Sequence, residues 1–213
     1  LAAMLTAWQL DVFDVLFASN SEPVGVLVAA TIIYVVGFID DVRGLSPPAK
    51  VAGTVLAGLA LVQFGVVMYA FRLPFFDGPI LLAQEWRPLV TVLWLLGMTQ
   101  AINFIDGLDG LAAGVAIIGG TAFFLTAYWV HRTAVLLDRS DLATLLTAVL
   151  VGACIGFLPD NWFPAKIFMG DSVDMLIRVI TASAGTVSTA QLTSGLHDLA
   201  NGRDDRAVVP DQE

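Results

Sequence analysis

Long apolar runs, separated by short polar punctuation, set the pattern of this chain. They are Leu1–Ala18, Val24–Ile39, Ala49–Ala70, Leu89–Phe104, Leu111–Val130 and Leu142–Leu158. A helix that crosses a bilayer needs about 20 apolar residues, with roughly 17 to 25 as the range. Ala49–Ala70 and Leu111–Val130 reach that length alone. Val24–Ile39 and Leu89–Phe104 reach it with flanking residues, and Leu1–Ala18 is weakened by Asp11 and Asp14. A seventh stretch, Val173–Leu192, mixes apolar residues with Asp174, Arg178 and many Ser and Thr. Backbone groups in lipid must be bonded within their own segment, so helices are predicted throughout. Gly and Pro mark the connections SNSEPVG, RGLSPPAK, FRLPFFDGP and LPDNWFPAK. The predicted fold class is an all-α integral membrane protein of about six transmembrane helices, with a short hairpin within 72–88. Residues 1–192 form the membrane region, and 193–213 a polar, disordered tail.

The order of the runs makes a further prediction. Consecutive spans alternate in direction, so every second connection lies on the same face. Connections 40–48, 103–110 and 159–172 fall together by this count. They hold Asp40 and Asp41, then Asn103, Asp106 and Asp109, then Asp160, Asn161 and Asp171. The positive-inside rule does not orient this face. Arg43, Lys50 and Lys166 lie on it or at its edge, against Arg72, Arg87, Arg132 and Arg139 opposite.

Composition agrees with a membrane protein. Hydrophobic residues make up 57% of the 213-residue chain and charged residues 14%, where a soluble domain carries about a quarter charged. The net charge of −9 argues against nucleic acid, which calls for a basic patch. Cys154 is the one cysteine, so no disulfide forms within the chain. Leu1 opens without the basic stretch of a signal peptide, and a preceding piece of a longer protein is expected.

Charge at membrane depth is costly and defaults to function. In GFIDDVRGLSPPAK, residues 37–50, Asp40 and Asp41 close an apolar helix as an adjacent pair. Two such carboxylates ionise together readily only beside a cation or hydrogen-bond donors. The plain alternative is a solvated helix end. In NFIDGLDGLAAG, residues 103–114, Asn103, Asp106 and Asp109 are spaced by three and share one side if that segment is helical. The alternative is a loop of turns in which Asp and Asn bond their own backbone. In LPDNWFPAKIFMGDS, residues 158–172, Asp171 at a tight turn suits a metal, and Lys166 suits a phosphate. Trp162 and Phe163 also suit an interfacial aromatic belt. Together these groups describe a Mg²⁺-dependent phosphoryl-transfer site at a membrane face.

The three motifs, in this order and spacing, resemble the polyprenyl-phosphate N-acetylhexosamine-1-phosphate transferases. The resemblance covers roughly residues 24–172. It is nearer the undecaprenyl- or decaprenyl-phosphate N-acetylglucosamine-1-phosphate arm than the phospho-muramoyl-pentapeptide arm. It implies a larger multi-span transferase fold and transfer of GlcNAc 1-phosphate from UDP-GlcNAc to a polyprenyl phosphate, releasing UMP for cell-envelope polysaccharide synthesis. It also implies Mg²⁺, with Mn²⁺ as a substitute, and a cytoplasmic active site in the bacterial inner membrane. The implied partners are a UDP-sugar, the polyprenyl phosphate and the lipid bilayer, with a homodimer left open. Matched by position, Asp40 and Asp41 are the paired aspartates, one a base or both organising the metal. Asp171 matches the Mg²⁺ aspartate. Asn103, Asp106 and Asp109 match the catalytic and nucleotide-sugar loop. Lys50 faces phosphate, Asn161 lies in the nucleoside region, and Lys166 joins the substrate-binding set.

The chain departs from the pattern after Ser172. In GDSVDMLIRVI, Val173 and Asp174 replace a Gly-Ser pair, and Arg178 stands where a small residue is expected. A late histidine cluster is also missing; neither His131 nor His197 is read as catalytic. These departures suggest a truncated and inactive copy. An ion- or proton-coupled transporter is the rival from another class. A CDP-alcohol phosphatidyltransferase ranks below it, because DGLDGLAAG lacks that family's arginine.

Overall fold

A computed structural model describes residues 21–71, 80–133 and 140–207, together with Thr6 and Gln9. The apolar run at residues 1–18, with Asp11 and Asp14, otherwise lies outside the described residues. Helix α1 spans Glu22–Arg43, α2 Pro47–Gln63, α3 Arg87–Ile105, α4 Leu111–Thr133, α5 Ser140–Asn161 and α6 Asp171–Ala207. Strands β1 (Ala70–Phe71) and β2 (Ile80–Leu81) pair antiparallel, Ala70 opposite Leu81. The expected hairpin therefore starts just before the predicted window of 72–88.

The helices α1, α3, α4 and α5 are long and apolar enough to cross a membrane. They match four of the predicted runs. The run Ala49–Ala70 gives a shorter helix than expected, 17 residues ending at Gln63. Gly65 takes φ +90°, and the Val66 amide reaches back to the Leu61 carbonyl at 3.0 Å. That five-residue bond over a left-handed glycine is a helix stop.

Helix α6 runs through the polar stretch from residue 193 to Ala207; residues 208–213 lie outside the described residues.

The core lies along α6. Val26 and Ile33 of α1, Leu61 of α2, Leu95 of α3, Leu142 and Leu146 of α5, and Met175 and Val179 of α6 form one buried cluster. A second joins Ala116, Leu150, Cys154 and Ile177. Ala182, Ser183 and Ala184 are buried, and small residues let helices approach closely where lipid gives no hydrophobic drive. The Trp94 indole donates to the Ala182 carbonyl at 3.2 Å across that seam. Large apolar side chains such as Phe38, Leu93, Ile118 and Ile155 face outward, as a lipid-facing wall requires.

Candidate active site

The chain gathers its acidic motifs at one end of the helices. At the close of α1, Gly44 takes φ +66° and its amide bonds the Asp40 carbonyl at 2.8 Å. Ser46 and Pro47 then open α2, proline being suited to the first helical position. This tight turn carries Lys50 back onto Asp40. The Lys50 ammonium forms an ion pair with Asp40 and lies 3.4 Å from Asp171 Oδ2. Asp40 is buried, and its Oδ1 accepts the Leu45 amide at 2.6 Å.

Lys50 brings the Asp40 and Asp171 carboxyl groups to one ammonium. The neighbouring Asp40 carboxyl, and then burial, push the Asp171 carboxyl above its ordinary range, against the pull of Lys50. The hydrogen bond to Asp40 holds the Lys50 ammonium above its ordinary value. Asp171 remains half-exposed, at 47% of its side chain, so it still has oxygen surface to offer.

Asp41 points elsewhere. Its Oδ1 accepts the Asp171 amide at 2.9 Å, and its Oδ2 accepts the Ser172 amide at 3.1 Å and the Ser172 hydroxyl. Helices α1 and α6 come very close here. A Cβ on Gly37 would stand 2.6 Å from the Ser172 Cα.

Beside this cluster lies a cavity of about 200 Å³, lined by Asp106, Gly107, Leu108, Asp109, Asn161, Phe168 and Met169. Helix α3 stops at Ile105, so the Asn103–Asp106–Asp109 triplet does not share one helical face. Asp106 and Asp109 line the cavity, whereas Asn103 is exposed on the last turn of α3. Asn161 ties two loops together. Its Oδ1 accepts the Gly110 amide at 2.9 Å, and its Nδ2 donates to the Ile167 carbonyl at 3.0 Å. Asp109 Oδ2 accepts the Ala165 amide at 3.1 Å. Gly110 takes φ +74°, a conformation glycine adopts without strain. Lys166 is exposed and stands outside the cavity lining.

Arg178 and Asp174 form a buried ion pair one turn apart on α6, with Arg178 Nε 2.7 Å from Asp174 Oδ1. Burial makes the Arg178 guanidinium easier to deprotonate than usual, against the opposing pull of the Asp106 and Asp171 charges. The spacing of four was the available signal for the pair. Phe168, Met169 and Ser172 are site residues that the motif reading quoted without assigning. Ser172 meets Asp41 of α1, and Phe168 and Met169 share the cavity with residues 106–109, beyond the reach of a local pattern.

Similar proteins cluster around one family. The family model described as glycosyl transferase family 4 matches residues 23–189. The match runs past Ser172, so the resemblance does not stop there as expected. A decaprenyl-phosphate N-acetylglucosaminephosphotransferase of Mycobacterium leprae is 37% identical over 201 residues, covering 92% of this chain and 50% of that protein. A probable undecaprenyl-phosphate N-acetylglucosaminyl 1-phosphate transferase of Bacillus subtilis is 38% identical, over 75% of this chain and 42% of its own length. A phospho-N-acetylmuramoyl-pentapeptide-transferase of Mycobacterium avium is 34% identical, over 78% and 54%. The chain thus spans about half the length of the curated relatives it matches.

Proposed function

The chain belongs to glycosyl transferase family 4, and on that premise we propose that it transfers N-acetylglucosamine 1-phosphate from UDP-GlcNAc to a polyprenyl phosphate. The observation that carries this reading is the meeting of Asp40, Lys50 and Asp171 beside the cavity of Asp106, Asp109 and Asn161. A lipid substrate needs an apolar wall and a water-soluble one a polar opening; Phe38, Ile39 and Val42 are exposed beside the aspartate pair, and Asp106 and Asp109 line the cavity.

In the proposed reaction, a phosphate oxygen of the lipid attacks the phosphorus that carries the sugar. A new phosphorus–oxygen bond forms, the bond to the UMP oxygen breaks, and UMP leaves. A proton on the lipid phosphate passes to one of the paired aspartates, Asp40 or Asp41. Lys50 offsets phosphate charge as a point charge. The cavity of Asp106, Asp109, Asn161 and Phe168 is where the nucleotide sugar would bind. Asn161 shapes the cavity wall, since its amide is engaged at both ends.

The donor set fits a hard divalent ion. Among the described residues no three His, Cys, Asp or Glu side chains form a complete cage. Mg²⁺, however, commonly takes one or two carboxylates and completes its shell with water and substrate phosphate. Asp171 would hold it, with Asp40 in contact. The two carboxyl groups already crowd each other there, an arrangement that a cation relieves. Bound Mg²⁺, or Mn²⁺ in its place, would offset charge on the diphosphate.

The test is UMP release from UDP-GlcNAc by membranes containing the chain, with polyprenyl phosphate and Mg²⁺. Release that requires both lipid and metal is expected. No release, from this chain or from one extended to its relatives' length, would sink the proposal. The transporter reading gains no support, since none of the relatives named above is a transporter.

A further inference from the structure

We infer that Asp41 is a positioning residue that caps helix α6 and acts on the site through the backbone of Asp171. The first-turn amides of a helix have no partner within it and normally take a side chain at the capping position. In α6 that position is Gly170, which has no side chain to offer. The Gly170 carbonyl accepts the amides of Val173 (3.1 Å) and Asp174 (3.0 Å). The amides of Asp171 and Ser172 remain, and Asp41 takes both, at 2.9 and 3.1 Å. A carboxylate from α1 thus does the work of the missing cap, where the helix dipole favours negative charge.

The surroundings are built for this. A Cβ on Gly170 would lie 3.3 Å from Asp41 Oδ2, tighter than ordinary contact. Gly37, one turn before Asp41, lets the two backbones approach. The Ser172 hydroxyl adds a third bond to the same carboxylate. These donors engage both oxygens of the Asp41 carboxylate. Its effect passes through Asp171, whose backbone it pins and whose carboxyl lies 3.4 Å from the Lys50 ammonium.

The inference rests on the proposed reaction for its catalytic meaning, but the cap itself is measured without substrate. Amide hydrogen exchange is followed in the full chain in detergent, for wild type, Asp41→Asn, Asp41→Ala and Asp40→Asn. Exchange at Asp171 and Ser172 is expected to speed up about tenfold in Asp41→Ala, as loss of a cap does. Asp41→Asn, which keeps one acceptor, falls between, and Asp40→Asn stays near wild type. Wild-type exchange in Asp41→Ala overturns the cap, whatever the transfer assay gives. The second arm is the pH–rate profile of transfer. A capping residue leaves the acid limb in place in Asp41→Asn while the rate falls. Loss of that limb would make Asp41 the base and overturn the inference. Absence of transfer in wild type would count against the proposed function alone, because the exchange arm still decides the cap.

Discussion

Lys50 carries more of the site's electrostatics than its modest exposure suggests. It pairs with the buried Asp40 and lies 3.4 Å from Asp171. Lys50→Met would leave two carboxyl groups facing each other with no ammonium between them. Breaking a buried pair costs about 3–5 kcal/mol. The Lys50 side chain is one-third exposed, so about 2 kcal/mol is expected here, with UMP release down at least about 100-fold. Lys50→Arg should recover the stability but not the rate, since a planar fork does not replace a compact ammonium. Thermal unfolding in detergent, set beside transfer rates, checks both; a Lys50→Met protein as stable and active as wild type would remove the argument. Asn161 makes the complementary case. Asn161→Ala orphans the Gly110 amide and the Ile167 carbonyl, each unmet group costing about 1–3 kcal/mol. The KM for the sugar nucleotide should rise more than kcat falls, because the cavity wall moves while the acidic cluster stays. Equal loss in both would place Asn161 in the chemistry. The sequence made these residue types legible, because charge and amide between apolar runs ask for a reason. Their roles were not legible. Asn161 meets Gly110 across 51 positions and Asp41 meets Asp171 across 130, and no local spacing encodes such pairs.

Helices were legible where length and apolarity agreed, as in α1, α3, α4 and α5. Their ends were not. Each overran into the polar motif that was expected to be its loop: α1 to Arg43, α3 to Ile105 and α5 to Asn161. Hydropathy marks the edge of the apolar run, whereas a helix ends where its last carbonyls find other partners. The overrun matters for function, since it makes Asp40 and Asp41 rigid helical residues. Packing between elements then sets their direction. Gly37→Ala should force α1 and α6 apart, because its Cβ would fall inside the Ser172 backbone. Overpacking of this kind costs about 1–3 kcal/mol. The expected result is a lower unfolding temperature together with faster exchange at Asp171 and Ser172. A Gly37→Ala protein with wild-type exchange would mean the two helices can part without disturbing the cap. The pair of Asp174 and Arg178 also belongs at this scale. Two charged replacements in a buried stretch compensate each other, which argues against random decay of the helix. Asp174→Ser alone would strand a buried arginine and should destabilise by about 3 kcal/mol. Asp174→Ser with Arg178→Gly removes both charges and should recover most of that loss in the same unfolding measurement.

At the scale of the whole molecule, alternation of spans does the organising. The ends of α1, α3 and α5 meet the starts of α2, α4 and α6 through Asp40–Lys50, Asp41–Asp171, Asn161–Gly110 and Asp109–Ala165. The opposite ends also meet one another. The Ser21 hydroxyl bonds the Phe64 carbonyl at 2.9 Å, and the Met68 amide bonds the Thr91 hydroxyl at 2.9 Å. Counting connections along the sequence was therefore enough to assign the acidic motifs to one face, although lysine and arginine counts could not name the side. Cysteine labelling can name it. Cys154 is buried, so Cys154→Ala gives a background in which single cysteines are placed at Ser46, Gly107, Trp162 and Gln84. The first three belong to the acidic end and Gln84 to the other. An impermeant thiol reagent applied to intact cells should modify only the Gln84 variant, and should reach the other three once the membrane is opened. That pattern puts the acidic end in the cytoplasm, where nucleotide sugars are found. Labelling of Gly107 or Trp162 in intact cells would put that end outside, away from any UDP-sugar, and would leave the proposed reaction without its donor.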